Sequence, residues 1–188
     1  MPESSAARTH VFPSDLGWMA LAWSEKGLVR LTFGHPSAAA AIASLEADAE
    51  WTTTSAGDLP PWVADLADRL VGYTAGDEVR FGDVPLDLSH LTAFQRKVVT
   101  HCRRIGRGKT RSYGELAASV GAPGAARAVG SVMAKNRFPI IIPCHRVVGA
   151  GKSLGGFSAP DGLDMKRRML ALEGVSDKKP RGSRRVRS

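Results

Sequence analysis

The segment Pro143-Cys144-His145-Arg146 places a thiol beside an imidazole, which are the side chains of a nucleophile and its base. An imidazole that takes the thiol proton leaves a thiolate, the reactive form of cysteine. Neighbours in sequence do not face each other on a helix or a strand, so contact between Cys144 and His145 needs a sharp turn or a bridging water. Because free cysteine is among the most buried residue types, a structural thiol at Cys144 is the alternative.

A catalytic imidazole also needs a carboxylate that orients its second nitrogen. The acidic residues of the second half of the chain, before its C-terminal tail, are Glu115, Asp161, Asp164 and Glu173. Glu173 lies at the end of the last predicted helix, from which the chain can fold back toward His145. Glu173 is therefore a candidate partner for the imidazole.

The cysteines and histidines do not follow a metal-binding pattern. The pairs His101-Cys102 and Cys144-His145 lack the usual spacers between paired zinc ligands, so we expect no metal site. Cys102 lies on a predicted helix rich in Arg and Lys, and we expect a structural thiol there because no base is placed to activate it. Two cysteines cannot form a disulfide framework, which makes a reducing cytoplasm the default location.

A second candidate for chemistry is the predicted helix over residues 123–135. Its side chains are small apart from Arg127 and Lys135. A helix that reads bases in the major groove carries several Asn, Gln, Arg or Lys side chains. The small residues of this helix include Ala125, Ala126 and Gly130. They allow a close approach to a groove wall without reading sequence, although Ala and Gly are also common in helices buried against their neighbours.

The elements that must position these residues are mainly helical. Residues 112–120 predict an amphipathic helix, Gly121-Ala122 predicts a break, and Pro123 suits the first turn of the next helix. A helix, a short Gly-containing turn and a helix form the helix-turn-helix pattern. The other elements predicted in this half are helices over residues 92–104 and 163–172, an extended apolar run over 139–143 and a Gly-rich loop over 149–162.

The first half of the chain predicts a small α/β unit without visible chemistry, and we expect it to act as a scaffold. Its predicted elements are strands over residues 18–24 and 28–34, helices over 37–50 and 62–73, and a short strand near 84–88. Glu25-Lys26-Gly27 between the first two strands is a hairpin signal. Ser37 is the predicted cap of the first helix, and Pro60-Pro61 opens the second.

The distribution of charge also differs between the two halves of the 188-residue chain. The formal net charge of +8 comprises 5 Lys/Arg and 13 Asp/Glu in residues 1–88 (net −8), 15 and 4 in residues 89–176 (net +11), and 6 and 1 in residues 177–188 (net +5). This asymmetry indicates that the second half meets a polyanion, with nucleic acid as the leading candidate and an anionic membrane surface as the competitor. The chain divides into a scaffold domain (1–88), a basic helical domain (89–174) and a disordered basic tail (175–188).

Other classes of protein do not fit the sequence. No apolar stretch approaches the ~20 residues of a membrane span. The first residues lack the charged and apolar regions of a secretory signal. With 43% hydrophobic residues and 23% charged residues, the composition is that of a globular protein with a real core.

Several sequence blocks in one order make a more specific pattern than any of these features alone. They are RSYGELA, AARAVGSVMAKN, IIIPCHRVVGAGKSLGGF and KRRMLALEG, within roughly residues 90–174. Together they resemble the O-6-alkylguanine-DNA alkyltransferases, also called methylated-DNA–protein-cysteine methyltransferases. The first half of the chain is similar to that family only in outline.

The resemblance implies a fold and a function. The fold is an α/β N-terminal domain with a small antiparallel sheet, ribonuclease-H-like in the family, and a mainly helical C-terminal domain with a (winged) helix-turn-helix. The function is DNA repair, in which an alkyl group passes from O-6-alkylguanine, and from O-4-alkylthymine, in duplex DNA to Cys144 after base flipping. The protein is consumed in one event and needs no cofactor, no membrane and no obligate protein partner. We expect a cytoplasmic monomer that associates with the nucleoid when it acts on DNA.

The resemblance also implies roles for single residues. Cys144 is the alkyl acceptor, His145 is its base through water, and Glu173 is the carboxylate partner of His145. Asn136 supports the turn that holds the cysteine, and Arg127 enters the base stack in place of the extruded nucleotide. The residues implied at the DNA interface are Tyr113, which presses on the target phosphate, with Ala125, Ala126, Arg127, Gly130, Ser131 and Lys135. The residues implied at the substrate pocket are Tyr113, Pro143, Val147, Val148, Phe157, Ser158 and Ala159.

Two departures from the family pattern bear on the substrate pocket. Phe157 stands where many members have a tyrosine whose hydroxyl donates to the leaving guanine oxygen, and phenylalanine has no donor. The loop over residues 157–163 is about two residues longer than the family's short form, and it carries Asp161. Phe157 and the altered loop motivate an alternative function, a damage sensor that flips and holds the base without transferring its alkyl group. A third hypothesis, a Cys/His hydrolase of acyl substrates, lacks an evident oxyanion motif.

Overall fold

A computed structural model of the chain describes residues 8–46 and 51–175, and its first half contains a four-stranded sheet with the order β3-β2-β1-β4. The strands are β1 (Arg8–Phe12), β2 (Trp18–Ser24), β3 (Gly27–His35) and β4 (Thr52–Thr53). The first three strands pair antiparallel, whereas β4 pairs in parallel with β1. The sheet is therefore mixed, which corrects the antiparallel sheet expected. Strand β4 has only two residues, both exposed, and therefore has no hydrophobic pattern from which it could be predicted.

The predicted hairpin and both predicted helices of this half are present. Ser24 pairs with Gly27 across the turn between β2 and β3. Helix α1 (Ala38–Glu46) follows Ser37, whose hydroxyl accepts a hydrogen bond from the Ala40 amide at 3.1 Å and so caps the helix as expected. Residues 47–50 of that predicted helix lie outside the described residues. Helix α2 (Pro61–Ala75) ends at a glycine in the left-handed conformation.

The strand predicted near residues 84–88 does not form. A single parallel bridge joins Leu28 to Leu86, with hydrogen bonds from the Leu28 amide to the Pro85 carbonyl and from the Asp87 amide to the Leu28 carbonyl. Proline has no N–H to donate, so Pro85 cannot supply the next hydrogen bond on the N-terminal side of this bridge.

The second half contains the predicted helices. They are α3 (Ala93–Arg103), α4 (Tyr113–Ser119), α5 (Ala126–Ala134) and α6 (Gly162–Leu172). Reciprocal side-chain and backbone hydrogen bonds cap α3 through Thr92 and Gln95, and cap α4 through Ser112 and Glu115. The remaining elements are the parallel pair β5 (Arg111–Ser112) and β6 (Val147–Val148), and the 3-10 turns Ala56–Asp58, Cys144–Arg146 and Ala150–Lys152.

Two predictions in this half were wrong. Helix α5 begins at Ala126 rather than at Pro123, because Gly124 is in the left-handed region and Ala125 has a non-helical ψ of 25°. The run over residues 139–143 is a turn and not an extended segment. Its Ile140 has a φ of 71°, a conformation that costs an L-residue roughly 1–2 kcal/mol and that burial of the side chain can offset.

One hydrophobic core joins the two halves. Alternate residues of β2 face opposite sides of the sheet, and Ala20 and Ala22 pack with α1. The other face of β2 belongs to a core that includes Leu70 of α2 and Met169 of α6. The Leu31 amide of β3 also donates to the Arg137 carbonyl at 2.9 Å. The core therefore holds α2 and α6 beside the turn that carries Cys144.

No helix within residues 8–46 and 51–175 combines the length and the apolar character needed to cross a membrane. The tail predicted over residues 175–188 lies, except for Val175, outside the described residues.

Candidate active site

Cys144 opens the 3-10 turn Cys144–Arg146, directly after Pro143. Its side chain is buried, with 7% of the residue exposed. Burial raises the pKa of the Cys144 thiol, although the Asn136 side chain and the Lys166 charge act in the opposite direction. The thiol is therefore protonated at neutral pH, and a base must take its proton before the sulfur can react.

His145 is fully buried and has two different ring nitrogens. Its Nε2 lies 2.8 Å from Oε1 of Glu173, whereas its Nδ1 has no hydrogen-bond partner among the described residues. Burial lowers the pKa of His145 more than Glu173 raises it, so the imidazole is neutral at neutral pH. With Nε2–H donating to the carboxylate, Nδ1 carries the lone pair and is the nitrogen that can accept a proton.

Glu173 follows α6 and is the carboxylate of the site. Its Oε1 accepts hydrogen bonds from His145 Nε2, from Tyr73 Oη at 2.8 Å and from Arg146 Nη2 at 2.8 Å. Its Oε2 accepts from Arg146 Nε at 2.9 Å and from the Gly108 amide at 3.4 Å. Burial opposes ionisation, but the bonds from His145 and Arg146 outweigh it and bring the pKa of Glu173 well below its usual range. Glu173 is therefore an anion throughout the neutral range.

Asn136 closes the turn that precedes the cysteine. Its Nδ2 donates to the Ile142 carbonyl at 2.8 Å, and its Oδ1 accepts from the Phe138 amide at 3.0 Å. These two bonds satisfy backbone groups that the turn leaves without a helix or strand partner. The side chain therefore holds both ends of the buried isoleucine run in place.

A cavity of about 370 Å³ opens beside the Cys144 thiol. Its lining residues are Tyr113, Gly130, Met133, Ala134, Cys144, Gly156, Phe157 and Ser158. Three of the pocket residues expected from the sequence, Tyr113, Phe157 and Ser158, lie in this lining. Ala159 lines an adjoining cavity of about 310 Å³ that also reaches Cys144.

The other expected pocket residues lie elsewhere, because Pro143, Val147 and Val148 are buried and are not part of either lining. Val147 and Val148 form β6, which directly follows the cysteine turn and pairs with β5. Met133, Ala134 and Gly156 line the cavity and were not singled out from the sequence.

Most of the residues expected at a DNA interface lie on α5 or at its two ends. Arg127, Ser131 and Lys135 are exposed. Ala125, Ala126 and Gly130 are half-buried, and Gly130 faces the Tyr113 ring, which would lie 4.0 Å from a Cβ added at this glycine. The small residues thus bring α5 close to α4 as well as leaving its outer side smooth.

Three further residues of the site, Tyr73, Arg146 and Lys166, were missed in the sequence. Tyr73 and Arg146 contact Glu173, and Lys166 is fully buried on α6. Lys166 Nζ donates to the Val147 carbonyl at 2.6 Å and to the Gly156 carbonyl at 3.3 Å, and burial lowers its pKa to about 8. The spacing to buried Met169 and Leu170, three and four residues later, could have indicated the inward face of α6. No comparable signal exists for the partners of Tyr73.

Cys102 is a free, buried thiol whose pKa burial raises well above its usual value. The described residues contain no group of three or more His, Cys, Asp or Glu side chains that could hold a metal ion.

We expect Glu173→Gln to lower the free energy of unfolding by about 3 kcal/mol at neutral pH, because Arg146 then loses its buried counter-charge. The pKa of Glu173 is lower in the folded protein than in the unfolded chain. The ionised carboxylate therefore makes its full contribution to the free energy of unfolding at pH values above the pKa that Glu173 has in the unfolded chain. The loss should therefore shrink as the pH falls below about 4. Urea denaturation of both proteins across this range measures it. Asp83→Asn, at an exposed ion pair with Arg69, should cost less than about 1 kcal/mol, and an equal loss in both variants would contradict the prediction.

Known proteins resemble this chain in sequence and in fold. The family model "6-O-methylguanine DNA methyltransferase, DNA binding domain" matches residues 93–175. A methylated-DNA–protein-cysteine methyltransferase of Mycobacterium tuberculosis is 43% identical over 140 residues, which cover 74% of this chain and 82% of that protein. One of Methanosarcina acetivorans is 35% identical over 164 residues, with coverages of 87% and 96%.

A solved structure of Mycobacterium tuberculosis OGT in complex with DNA superposes with a TM-score of 0.71 and 38% identity. The superposition covers 88% of this chain and 92% of that one. By sequence and by fold, the chain belongs to the family of the methylated-DNA–protein-cysteine methyltransferases.

Proposed function

We propose that this protein repairs DNA by a single transfer, in which a methyl or other alkyl group passes from O-6-alkylguanine, and from O-4-alkylthymine, in duplex DNA to the sulfur of Cys144. The observation that carries the proposal is the position of Cys144, whose thiol lines a cavity and precedes an imidazole bonded to a buried carboxylate. Membership in the family supports the reaction, and the relative solved with DNA supports the substrate.

The transfer begins with a neutral thiol, because burial raises the pKa of Cys144. His145 Nδ1 takes the thiol proton through a water molecule, and Glu173 stabilises the imidazolium that results. The sulfur attacks the alkyl carbon, so the S–C bond forms as the C–O bond breaks and the electron pair stays on the guanine oxygen. The proton that His145 took from the thiol then passes to a guanine ring nitrogen, which leaves the imidazole neutral again. Thiol and alkylguanine thus become thioether and guanine without a cofactor.

The guanine oxygen needs hydrogen bonds as it takes up charge. Phe157 lines the cavity and cannot donate one. The hydroxyl groups in the lining belong to Tyr113 and Ser158. We assign the phosphate contact to Tyr113 and the leaving oxygen to Ser158 together with backbone N–H groups of its loop.

The alkylated base must leave the duplex to reach a buried thiol. We interpret α4, the turn over residues 120–125 and α5 as a helix-turn-helix whose second helix enters a groove with its smooth outer side. Arg127, exposed in the first turn of α5, then fills the gap in the stack with its planar guanidinium. Few base-reading side chains on α5 suit an enzyme that must work in any sequence context.

The remaining parts of the proposal concern the whole chain. Residues 1–88 act as a ribonuclease-H-like scaffold domain, residues 89–174 as the DNA-binding and alkyl-acceptor domain, and residues 175–188 as a basic tail. The protein acts as a monomer on cytoplasmic, nucleoid DNA. The net charge of +11 in residues 89–176 supports the assignment of the DNA-facing side.

We expect the protein, after incubation with duplex DNA that contains O-6-methylguanine, to gain one methyl group on Cys144. Peptide mass spectrometry locates the methyl group, and the same duplex should regain guanine. Cys102→Ser, which removes the other thiol of the chain, should react like the wild type, and Cys144→Ser should not react. An unmodified Cys144 with intact O-6-methylguanine would favour the damage sensor and reject the transfer.

We expect Arg127→Ala to slow transfer from duplex DNA about tenfold, because the flipped state loses the guanidinium that fills the stack. Transfer from the free O-6-methylguanine base, which needs no flipping, should keep its rate. Lys135→Ala removes another exposed cation of the same region and should weaken DNA binding in a salt-dependent way without this difference between substrates. Equal effects of Arg127→Ala on both substrates would reject the role in flipping.

A further inference from the structure

Tyr73 brings the first half of the chain into the active site. It lies on α2, is 1% exposed, and donates from its hydroxyl to Glu173 Oε1 at 2.8 Å. The same hydroxyl oxygen is 3.3 Å from His145 Nε2. A buried phenol therefore contacts both the carboxylate and the imidazole, although residues 1–88 showed no chemistry in the sequence.

We propose that Tyr73 is a positioning residue for alkyl transfer: its hydroxyl fixes the Glu173 carboxylate and sets how strongly that carboxylate draws a proton onto His145. This inference rests on the proposed function, since it assigns Tyr73 a part in that reaction. Tyr73 does not line the cavity beside Cys144, so it acts through Glu173 and His145 and not on the base.

The physical basis is competition for one oxygen. Oε1 of Glu173 accepts from Tyr73, His145 and Arg146 at 2.8 Å each. A hydrogen bond from the phenol withdraws charge from the oxygen that faces the imidazole. The bond stays in place across the working range, because burial, with Glu173 as a further cause, raises the pKa of Tyr73 far above its usual value.

The tyrosine is itself held in position. The Arg107 guanidinium lies 5.8 Å from the centre of the Tyr73 ring. It donates to the Gly76 carbonyl after α2 at 2.9 Å and to the Leu172 carbonyl at the end of α6 at 2.8 Å. Arg107 therefore joins the ends of the two helices that carry Tyr73 and Glu173.

The other charged and titratable groups around His145 are Arg146, Lys166 and Cys144. Arg146 pairs with Glu173 from the cysteine turn, and Lys166 from α6 acts to lower the pKa of His145. Cys144 is the neighbouring residue. The Tyr73 hydroxyl contacts His145 and Glu173 and is not hydrogen-bonded to Arg146, Lys166 or Cys144, so we expect a change in the titration of His145 to report the lost hydroxyl.

The test is Tyr73→Phe, measured by single-turnover transfer at saturating DNA over a range of pH. We expect the rate at neutral pH to fall about tenfold, because Glu173 is then no longer fixed in its position against His145. The acid limb of the profile should move to higher pH, because Glu173 then holds the proton on His145 more strongly. The affinity for alkylated DNA should not change.

Thr74→Val is the matched control. Thr74 is the next residue of α2, is also buried, and uses its hydroxyl only within the first half, with the Val71 carbonyl and the Asp15 amide. It reports the structural cost of losing a buried hydroxyl, and its pH profile should match the wild type. A Tyr73→Phe profile that also matches the wild type in midpoint would overturn the proposal.

Two further measurements separate the possible failures. Methylation of wild-type Cys144 tests the proposed function alone, so a reactive wild type beside an unaltered Tyr73→Phe rejects only the role of Tyr73. In the Glu173→Gln background, which lacks the carboxylate charge, Tyr73→Phe should cause a smaller loss of rate than in the wild type, because both residues act on His145 through that charge. An additive loss would contradict the inference.

Should Tyr73→Phe not fold, the native hydroxyl can be observed directly. The chain has 2 tyrosines, so fluorotyrosine labelling yields one fluorine NMR signal for Tyr73 and one for Tyr113. The Tyr73 signal should titrate with the midpoint of the acid limb of the rate profile. A Tyr73 signal that stays constant across this midpoint would overturn the proposal.

Discussion

The Glu173 carboxylate is a buried anion that hydrogen bonds from three other segments of the chain stabilise. Tyr73 of α2, Gly108 of the loop after α3, and His145 and Arg146 of the cysteine turn all donate to its two oxygens, while Glu173 itself follows α6. A buried charge is tolerated only when its hydrogen bonds are complete, and removing one charged partner typically costs about 3–5 kcal/mol. The elements that carry these donors must therefore come together for the protein to fold.

This constraint connects folding with reactivity. The same bonds that stabilise the anion fix Nε2 of His145 as a donor and leave Nδ1 as the basic nitrogen. Burial keeps both the thiol and the imidazole neutral in the resting protein, so a thiolate is absent until a proton moves. A consumable thiol benefits from that state, because a protonated, buried cysteine resists oxidation while it awaits its substrate.

The sequence was informative wherever local chemistry decides structure. The hairpin at Glu25-Lys26-Gly27, the Ser37 cap and the helices of the second half follow from turn, capping and periodicity rules, and the structure contains them. Local rules failed at Ile140, because a β-branched residue disfavours the left-handed region and adopts it here with its side chain buried in the core and its turn hydrogen-bonded through Asn136. Local rules also predicted the start of α5 three residues too early. Pro123 is typical of a first helical turn, but Gly124 adopts the left-handed conformation, which a helix cannot include.

The long-range part of the site was beyond sequence reasoning. Tyr73 was predicted as the last residue of an amphipathic helix, and burial of its ring follows from that pattern. Its hydroxyl, however, donates a hydrogen bond to a carboxylate 100 residues away in sequence, and no local sequence pattern predicts this contact. The scaffold interpretation of the first half was therefore incomplete with respect to the contacts of Glu173.

In the proposed reaction, a carbon–oxygen bond on the base is exchanged for a carbon–sulfur bond on the protein. Carbon NMR on duplex DNA with an isotope-labelled O-6-methyl group observes this exchange directly. We predict that the O-methyl signal disappears and that one S-methyl signal per protein chain appears, in wild-type protein but not in Cys144→Ser. Release of the label as free methanol, or an O-methyl signal that persists in the bound complex, would contradict the account.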